Sequence, residues 1–318
     1  MKFIINGGKA LSGTIKVMGF KNAATPIISA TVLTKRICVL KNIPKITDVL
    51  KLLGILEKMG SRQEWLDEHT LKIDNSNLEL MTLDGDSVSQ IRSSILLIGP
   101  LLARFGKVEF VTPGGCKIGS RPIDTHIEAF ADFGVKVDFD EQSGRYNMTA
   151  GENVKGETWL KEFSVTATEN ALMLGSKYPL TIRLAAIEPH VWDLIGFLQK
   201  LGTAIHAKEA HSFETIPAPE SNEGIIEYEI MNDPIEAGTF AVLAAATRSR
   251  IVIQGADAKY LEAPLRKLKE FGVVYSLAGS LNWPERVLKS GTLISLITFF
   301  LQEFSAIIPV INPRTKIS

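Results

Sequence analysis

Cysteine is almost absent. The chain carries only Cys38 and Cys116, with no C-x-x-C pair, which excludes a disulfide framework and a cysteine zinc cluster and points to a reducing compartment, the cytoplasm. An excess of either charge is lacking too. Thirty-five basic residues face 35 acidic ones, so bulk electrostatics gives a nucleic acid nothing to bind, and any anion must be held by a local site. Long apolar runs are missing. The opening Met-Lys-Phe-Ile-Ile-Asn is too short for a signal peptide, and Leu293–Leu301 falls well short of the ~18 apolar residues of a membrane span. The five histidines, at 69, 126, 190, 206 and 211, form no H-E-x-x-H and no ligand trio, so neither a metal nor another cofactor is expected. What remains is an ordinary globular composition, 45% hydrophobic and 22% charged, enough for one large core or two medium ones and unlike disordered or collagenous chains.

An internal repeat organises the chain. Four segments end an amphipathic stretch with glycine: Leu56-Glu-Lys-Met-Gly60, Phe130-Ala-Asp-Phe-Gly134, Leu198-Gln-Lys-Leu-Gly202 and Leu268-Lys-Glu-Phe-Gly272, the glycines 74, 68 and 70 residues apart. Apolar residues recur upstream at helical spacing, so each stretch reads as a helix closed by a left-handed glycine. Before each lies a strand, at 36–42, 107–111, 180–185 and 251–254. Before each strand lies a helix rich in small residues, at 22–33, 90–103, 168–176 and 235–247, suited to a buried layer. The period of about 70 residues makes each copy a small α/β module. Three copies fill residues 22–231 as a complete first domain. A second domain, 1–21 with 232–290, holds one copy and reads as incomplete. Residues 291–318 form an apolar tail with three charged residues, Glu303, Arg314 and Lys316.

The densest cluster of reactive groups is Pro113-Gly-Gly-Cys-Lys-Ile-Gly-Ser-Arg-Pro-Ile-Asp-Thr-His126. It joins a strand to a helix, and its glycines free the backbone to aim N–H groups at an anion. A P-loop is rejected, because Ser120 and Arg121 stand where lysine and a hydroxyl are required. Cys38, between Ile37 and Val39 in a strand, reads as a small buried hydrophobe. Cys116, beside Lys117 and near Arg121, is either a small buried residue or a thiol whose pKa the cations lower. Lys21-Asn22 opens the first small-residue helix, and Arg92 lies 71 residues later at the matching place. Singly these are solvated charges; with Arg121 they could form a cationic pocket for a phosphorylated substrate. His126 reads as a hydrogen-bonded residue at a helix start.

These residues, taken together, resemble the UDP-N-acetylglucosamine 1-carboxyvinyltransferases of the enolpyruvyl transferase family. The resemblance rests on Phe20-Lys-Asn-Ala-Ala24, Ile91-Arg-Ser-Ser, Gly99-Pro-Leu-Leu-Ala-Arg-Phe-Gly106 and the Pro113–His126 loop. Later segments, Ser164-Val-Thr-Ala-Thr-Glu-Asn170, Glu188-Pro189 and Glu236-Ala-Gly-Thr-Phe240, extend it to about residue 285. It implies two inside-out α/β domains built of βαβαββ-type repeats. It implies enolpyruvyl transfer from phosphoenolpyruvate to the 3′-hydroxyl of UDP-N-acetylglucosamine with release of phosphate, the first committed step of peptidoglycan synthesis. By resemblance Cys116 is the catalytic proton donor, and Lys21, Asn22 and Arg121 hold phosphoenolpyruvate. Arg92, Arg121, Pro122, Ile123, Asp124, Thr125, Glu162, Phe163, Ser164 and Val165 would line the nucleotide-sugar site. The implied partners are these two small molecules, with no nucleic acid and no membrane.

The sequence also departs from the family. Glu162 stands where relatives often carry lysine, Thr166 where they carry glycine, and Pro234 replaces an arginine. The family's aspartate in a Pro-Gly-Phe-x-Thr-Asp segment, its late Asp-x-Arg motif and its last phosphoenolpyruvate-binding arginine have no counterpart here. Impaired transfer is therefore expected. The alternative is an inactive relative that only binds nucleotide sugar or a partner. A third reading, which keeps the fold but takes shikimate 3-phosphate as acceptor, is disfavoured by the Pro-Gly-Gly-Cys loop.

Overall fold

The computed structural model describes residues 4–83, 92–111, 123–217, 219, 221, 223–277 and 300–301. Strand β1 (Ser12–Lys16) precedes three copies of one module. In the first, helix α1 (Lys21–Ala30), extended by a 3-10 turn over Thr31–Leu33, leads to β2 (Cys38–Lys41), α2 (Thr47–Lys58) and the hairpin of β3 (Arg62–Trp65) and β4 (Leu71–Asp74). In the second, a 3-10 segment, Arg92–Leu97, runs into α3 (Ile98–Phe105), followed by β5 (Lys107–Val111), α4 (Asp124–Asp132), the hairpin β6 (Lys136–Asp140) and β7 (Arg145–Thr149), and β8 (Gly156–Trp159). The third holds α5 (Val165–Leu174), β9 (Leu180–Arg183), α6 (Pro189–Leu201), the hairpin β10 (Ala204–Lys208) and β11 (Ser212–Ile216), and β12 (Ile226–Glu229). A fourth copy comprises α7 (Pro234–Ala246), β13 (Arg250–Gln254), α8 (Glu262–Glu270) and β14 (Val273–Val274), which pairs with β15 (Phe300–Leu301).

The repeated glycines do what their spacing predicts. Gly60, Gly134, Gly202 and Gly272 have φ of +97°, +86°, +113° and +77°, the region in which a Cβ clashes and glycine does not. Element limits shift where a local hydrogen bond or an unusual φ decides them. The helix expected at 168–176 starts at Val165, because the Ser164 side chain accepts the Ala167 N–H and caps it. The strands expected at 36–42 and 180–185 end sooner, at Lys41 and Arg183, where Asn42 and Leu184 turn to positive φ.

The chain divides into two compact units, Gly19–Met231 and Met1–Met18 with Asn232–Ser318. In the first, helices lie inside and sheets outside. Every residue from Ala23 to Ala30 of α1 and from Ala167 to Leu174 of α5 is buried, so these helices have no solvent face. Their small residues permit close approach. A Cβ on Gly99, in α3, would lie 2.3 Å from the Asn170 carbonyl oxygen of α5.

Three sheets enclose these helices, ordered β12-β2-β4-β3, β5-β7-β6 and β10-β11-β9-β8. Within each, a module's hairpin pairs antiparallel with its own first strand. The last strand of a module then crosses to its neighbour. Leu83 bridges Phe110 of β5 in parallel, β8 pairs in parallel with β9, and β12 returns in parallel to β2. The exchange closes a ring of three.

In the other unit β1 pairs in parallel with β13, the same relation seen between β12 and β2. Its core gathers Val17, Ala237, Ala241, Ala244, Ile251, Ile253, Leu261 and Leu265. Pro234 occupies the first turn of α7, and the Asp233 side chain accepts the Ile235 and Glu236 N–H groups at 2.8 and 3.1 Å, a start that proline and aspartate both favour.

The α3–α5 contact yields a stability prediction. Gly99→Ala should lower the free energy of unfolding by about 1–3 kcal/mol, because the methyl group must push two buried backbones apart. Urea denaturation measures it, and an unchanged midpoint would contradict the packing described.

Candidate functional site

The three buried helices run in one direction, as their C-terminal ends show. Arg104, in the last turn of α3, donates to the Val32 and Thr34 carbonyls at 2.8 and 3.3 Å and to the Asn75 carbonyl at 2.7 Å. Asn170 of α5 accepts the Gly99 N–H at 2.8 Å and donates to the Ile95 carbonyl at 3.1 Å. Thr34, Phe105 and Ser176, each just past or at the end of one of these helices, line one cavity. Their starts therefore lie toward the opposite end of the unit, where helix N-termini carry partial positive charge.

The expected residues occupy those starts. Lys21 and Asn22 are the first residues of α1, Arg92 opens the 3-10 segment before α3, and Ser164 and Val165 begin α5. Ile123 is buried, and Asp124 and Thr125 open α4. His126, buried in the first turn of α4, hydrogen-bonds through Nε2 with Thr166 Oγ1 at 2.9 Å. That bond joins the segment at 123–125 to the one at 164–165, so residues some 40 positions apart come together. Cys116, Arg121 and Pro122 lie outside the described residues. Glu162 and Phe163 precede α5, and the Phe163 ring is tilted against His211 with centroids 4.8 Å apart.

Several supporting groups carry no sequence signal. Lys21 Nζ pairs with Asp48 Oδ2 at 3.0 Å, both side chains being nearly half exposed. Such a pair contributes only about 0–1 kcal/mol, so an arriving anion can compete for the ammonium. Behind α1, the Phe20 N–H donates to the Met231 carbonyl at 2.9 Å, and the Met231 N–H donates to Asp193 Oδ2 at 3.0 Å. Tyr228 donates its hydroxyl to Asp193 Oδ1 at 2.8 Å. Burial pushes the Asp193 carboxyl up, and the Met231 and Tyr228 bonds pull it back. The Phe20 ring also meets His190 edge-on at 5.2 Å. The chain leaving β12 thus anchors the residue before Lys21.

The same unit buries several titratable groups. Glu169, on α5, is 1% exposed, and burial first, then the neighbouring Glu188 carboxylate, hold its carboxyl well above the usual range. Burial lowers His190, opposed by Glu188. Cys38 is pushed up to about 12 by burial and stays a thiol at neutral pH. Among the described residues no group of His, Cys, Asp and Glu side chains is placed to hold a metal ion, and no helix is long and apolar enough to cross a membrane.

The sequence model of the EPSP synthase (3-phosphoshikimate 1-carboxyvinyltransferase) family matches residues 5–292. The chain belongs to this family. Among similar curated proteins, UDP-N-acetylglucosamine 1-carboxyvinyltransferase 1 of Legionella pneumophila (strain Lens) is 40% identical over 271 residues, which cover 83% of this chain and 52% of that protein. UDP-N-acetylglucosamine 1-carboxyvinyltransferase of Wolinella succinogenes is 38% identical over 85% of this chain and 65% of its own length. The chain thus spans between half and two thirds of these relatives. Among solved structures, the enolpyruvyl transferase NikO from Streptomyces tendae superposes with a TM-score of 0.76 at 20% identity, over 93% of this chain and 67% of that one. EPSP synthase from Acinetobacter baumannii gives 0.69 at 17% identity, over 93% and 65%. These likenesses establish the α/β enolpyruvyl transferase fold.

Glu169 gives a prediction with a definite sign. Its folded-state pKa lies above the unfolded value of about 4.3. Between the two, the folded state keeps a proton that the unfolded state has lost, so stability falls as pH rises, by at most about 1.4 kcal/mol per pH unit for this group. Glu169→Gln removes that loss, and its stability should gain on the parent's as pH is raised from 5 to 8. Melting curves across that range test this; parallel pH dependence in both proteins would refute the buried neutral acid.

Proposed function

We propose that this protein transfers the enolpyruvyl group of phosphoenolpyruvate to the 3′-hydroxyl of UDP-N-acetylglucosamine and releases phosphate. The reading makes it a cytoplasmic transferase of peptidoglycan synthesis, serving cell-wall biogenesis and, through it, cell shape and division. The observation that carries it is the gathering of Lys21, Asn22, Arg92, Ser164 and Val165 at the starts of three parallel buried helices. The relatives at 38–40% identity, named for this reaction, supply the acceptor.

The chemistry suits these residue types. Addition of an alcohol to the vinyl carbon requires a proton at the methylene, a base for the hydroxyl, and cations for phosphate and carboxylate. In this reading Cys116 delivers the proton, while Lys21 and Arg121 neutralise phosphoenolpyruvate, with Asn22 between the two substrates. Arg92 and residues 121–125 face the nucleotide sugar together with residues 162–165, and the bond between His126 and Thr166 holds those two segments in register. Turnover by these 318 residues is expected to be slow, because the family's later aspartate and arginine motifs have no counterpart in them.

Calorimetric titration with UDP-N-acetylglucosamine tests the reading. The parent should bind, and Arg121→Glu should weaken binding at least about tenfold, since a charge-assisted hydrogen bond contributes about 1.5–3 kcal/mol. Phosphate release on adding phosphoenolpyruvate should follow, at a rate well below one per second. Equal affinity of parent and variant would refute the site, and binding of shikimate 3-phosphate in preference would replace the acceptor.

A further inference from the structure

Lys21 is placed by what holds the residue before it. Phe20 is buried, and its carbonyl accepts the Ala23 and Ala24 N–H groups at 3.1 and 2.9 Å and so starts α1. Its own N–H donates to the Met231 carbonyl at 2.9 Å. The preceding Gly19 lies hard against the residue after β2, since a Cβ there would stand 1.7 Å from the Asn42 carbonyl oxygen. Asn42, at φ +63°, donates its Nδ2 to the Ile230 carbonyl at 2.8 Å. Residues 19–20 are thus wedged between Asn42 and the segment 230–231, and a shift of that segment is passed to the first turn of α1.

One side chain fixes the segment. Asp193, in the second turn of α6, accepts the Met231 N–H at Oδ2 and the Tyr228 hydroxyl at Oδ1, at 3.0 and 2.8 Å. The same hydroxyl lies 2.8 Å from the Asp193 carbonyl oxygen, and a Cβ on Gly196 would come within 2.7 Å of it. Bonds to a carboxylate are stronger than neutral ones, and two donors on separate oxygens fix its orientation. A run of hydrogen bonds therefore leads from α6 through Met231 to Phe20 and ends one residue before the ammonium. The Lys21 side chain is nearly half exposed, and its surface pair with Asp48 is weak, so the backbone from which it projects sets where it stands.

We propose that Asp193 is a positioning residue for the phosphoenolpyruvate site, acting on Lys21 only through the backbone of Met231 and Phe20. The inference rests on the reading of Lys21 given above and adds a residue outside every motif of that site. Linkage gives it two directions. If these bonds favour the arrangement of Lys21 that binds phosphoenolpyruvate, bound phosphoenolpyruvate must in turn favour the bonds.

The full 318-residue chain, saturated with UDP-N-acetylglucosamine, is titrated calorimetrically with phosphoenolpyruvate. Asp193→Ala should weaken phosphoenolpyruvate binding at least about fivefold and leave the affinity for UDP-N-acetylglucosamine within about twofold, a split that a general loss of stability does not produce. Asp193→Asn should restore the parent's affinity, because its Oδ1 can accept the Met231 N–H while Nδ2 donates to the Tyr228 hydroxyl, which keeps its bond to the residue-193 carbonyl. In the parent, phosphoenolpyruvate should slow hydrogen exchange at the Phe20 and Met231 amides, followed by NMR, a readout that stands even if Asp193→Ala fails to fold. Lys21→Ala separates the two claims. If it loses phosphoenolpyruvate while Asp193→Ala matches the parent, or if both amides exchange unchanged under saturating phosphoenolpyruvate, the positioning role is overturned and the reading of Lys21 stands. Equal losses of both ligands in Asp193→Ala would make Asp193 a stability residue and overturn the role as well. If the parent binds phosphoenolpyruvate no better than Lys21→Ala does, the reading of Lys21 falls and the positioning role with it.

Discussion

Strand exchange between neighbouring modules is the interaction on which the rest depends. No module of the Gly19–Met231 unit closes its own sheet. Leu83 leans on β5, β8 on β9 and β12 on β2, so each sheet is completed by the chain of the module before it, and the third module returns to the first. The link from β12 to β2 spans nearly the full unit, with Ile226 opposite Cys38 and Glu229 opposite Lys41. Contacts this distant in sequence are costly to form, since loop closure precedes their reward. Once formed, they fix the three inner helices side by side.

Parallel helices then give the unit two chemically different ends. At one, N-termini offer N–H groups and partial positive charge beside Lys21, Arg92 and the segment at 162–165, as anion recognition requires. At the other, carbonyl ends draw in arginines, Arg104 above all. The fold's polarity thus follows from the module order, and small residues let it pack closely. Small residues such as Gly99 let the helices touch, and the repeated connectivity of the modules gives them one direction.

The helices were legible in the sequence because their signals are local. Glycine after an amphipathic stretch marked four helix ends, and small-residue runs marked the inner layer. What stayed hidden was non-local. The strand Gly156–Trp159 reads Gly-Glu-Thr-Trp, too short and polar to announce itself, and its partner begins 24 residues later. Within the site, the family motifs named the segments at 123–125 and 162–165, but nothing in the sequence paired His126 with Thr166, Lys21 with Asp48, or Asp193 with Met231. Lys35, Arg36 and Lys177 belong to no motif, and only the common ending of three helices brings them near Arg104.

Closure of the ring is tested most directly by taking one strand away. A fragment spanning residues 19–231 should unfold in urea in a single cooperative transition followed by circular dichroism, because it contains all three exchanged strands. A fragment of residues 19–223 lacks β12 together with Tyr228 and Met231, leaving β2 without its parallel neighbour and Phe20 without its anchor. It should show no cooperative transition. Equal midpoints for the two fragments would contradict the dependence of the fold, and of the helix starts it gathers, on the returning strand.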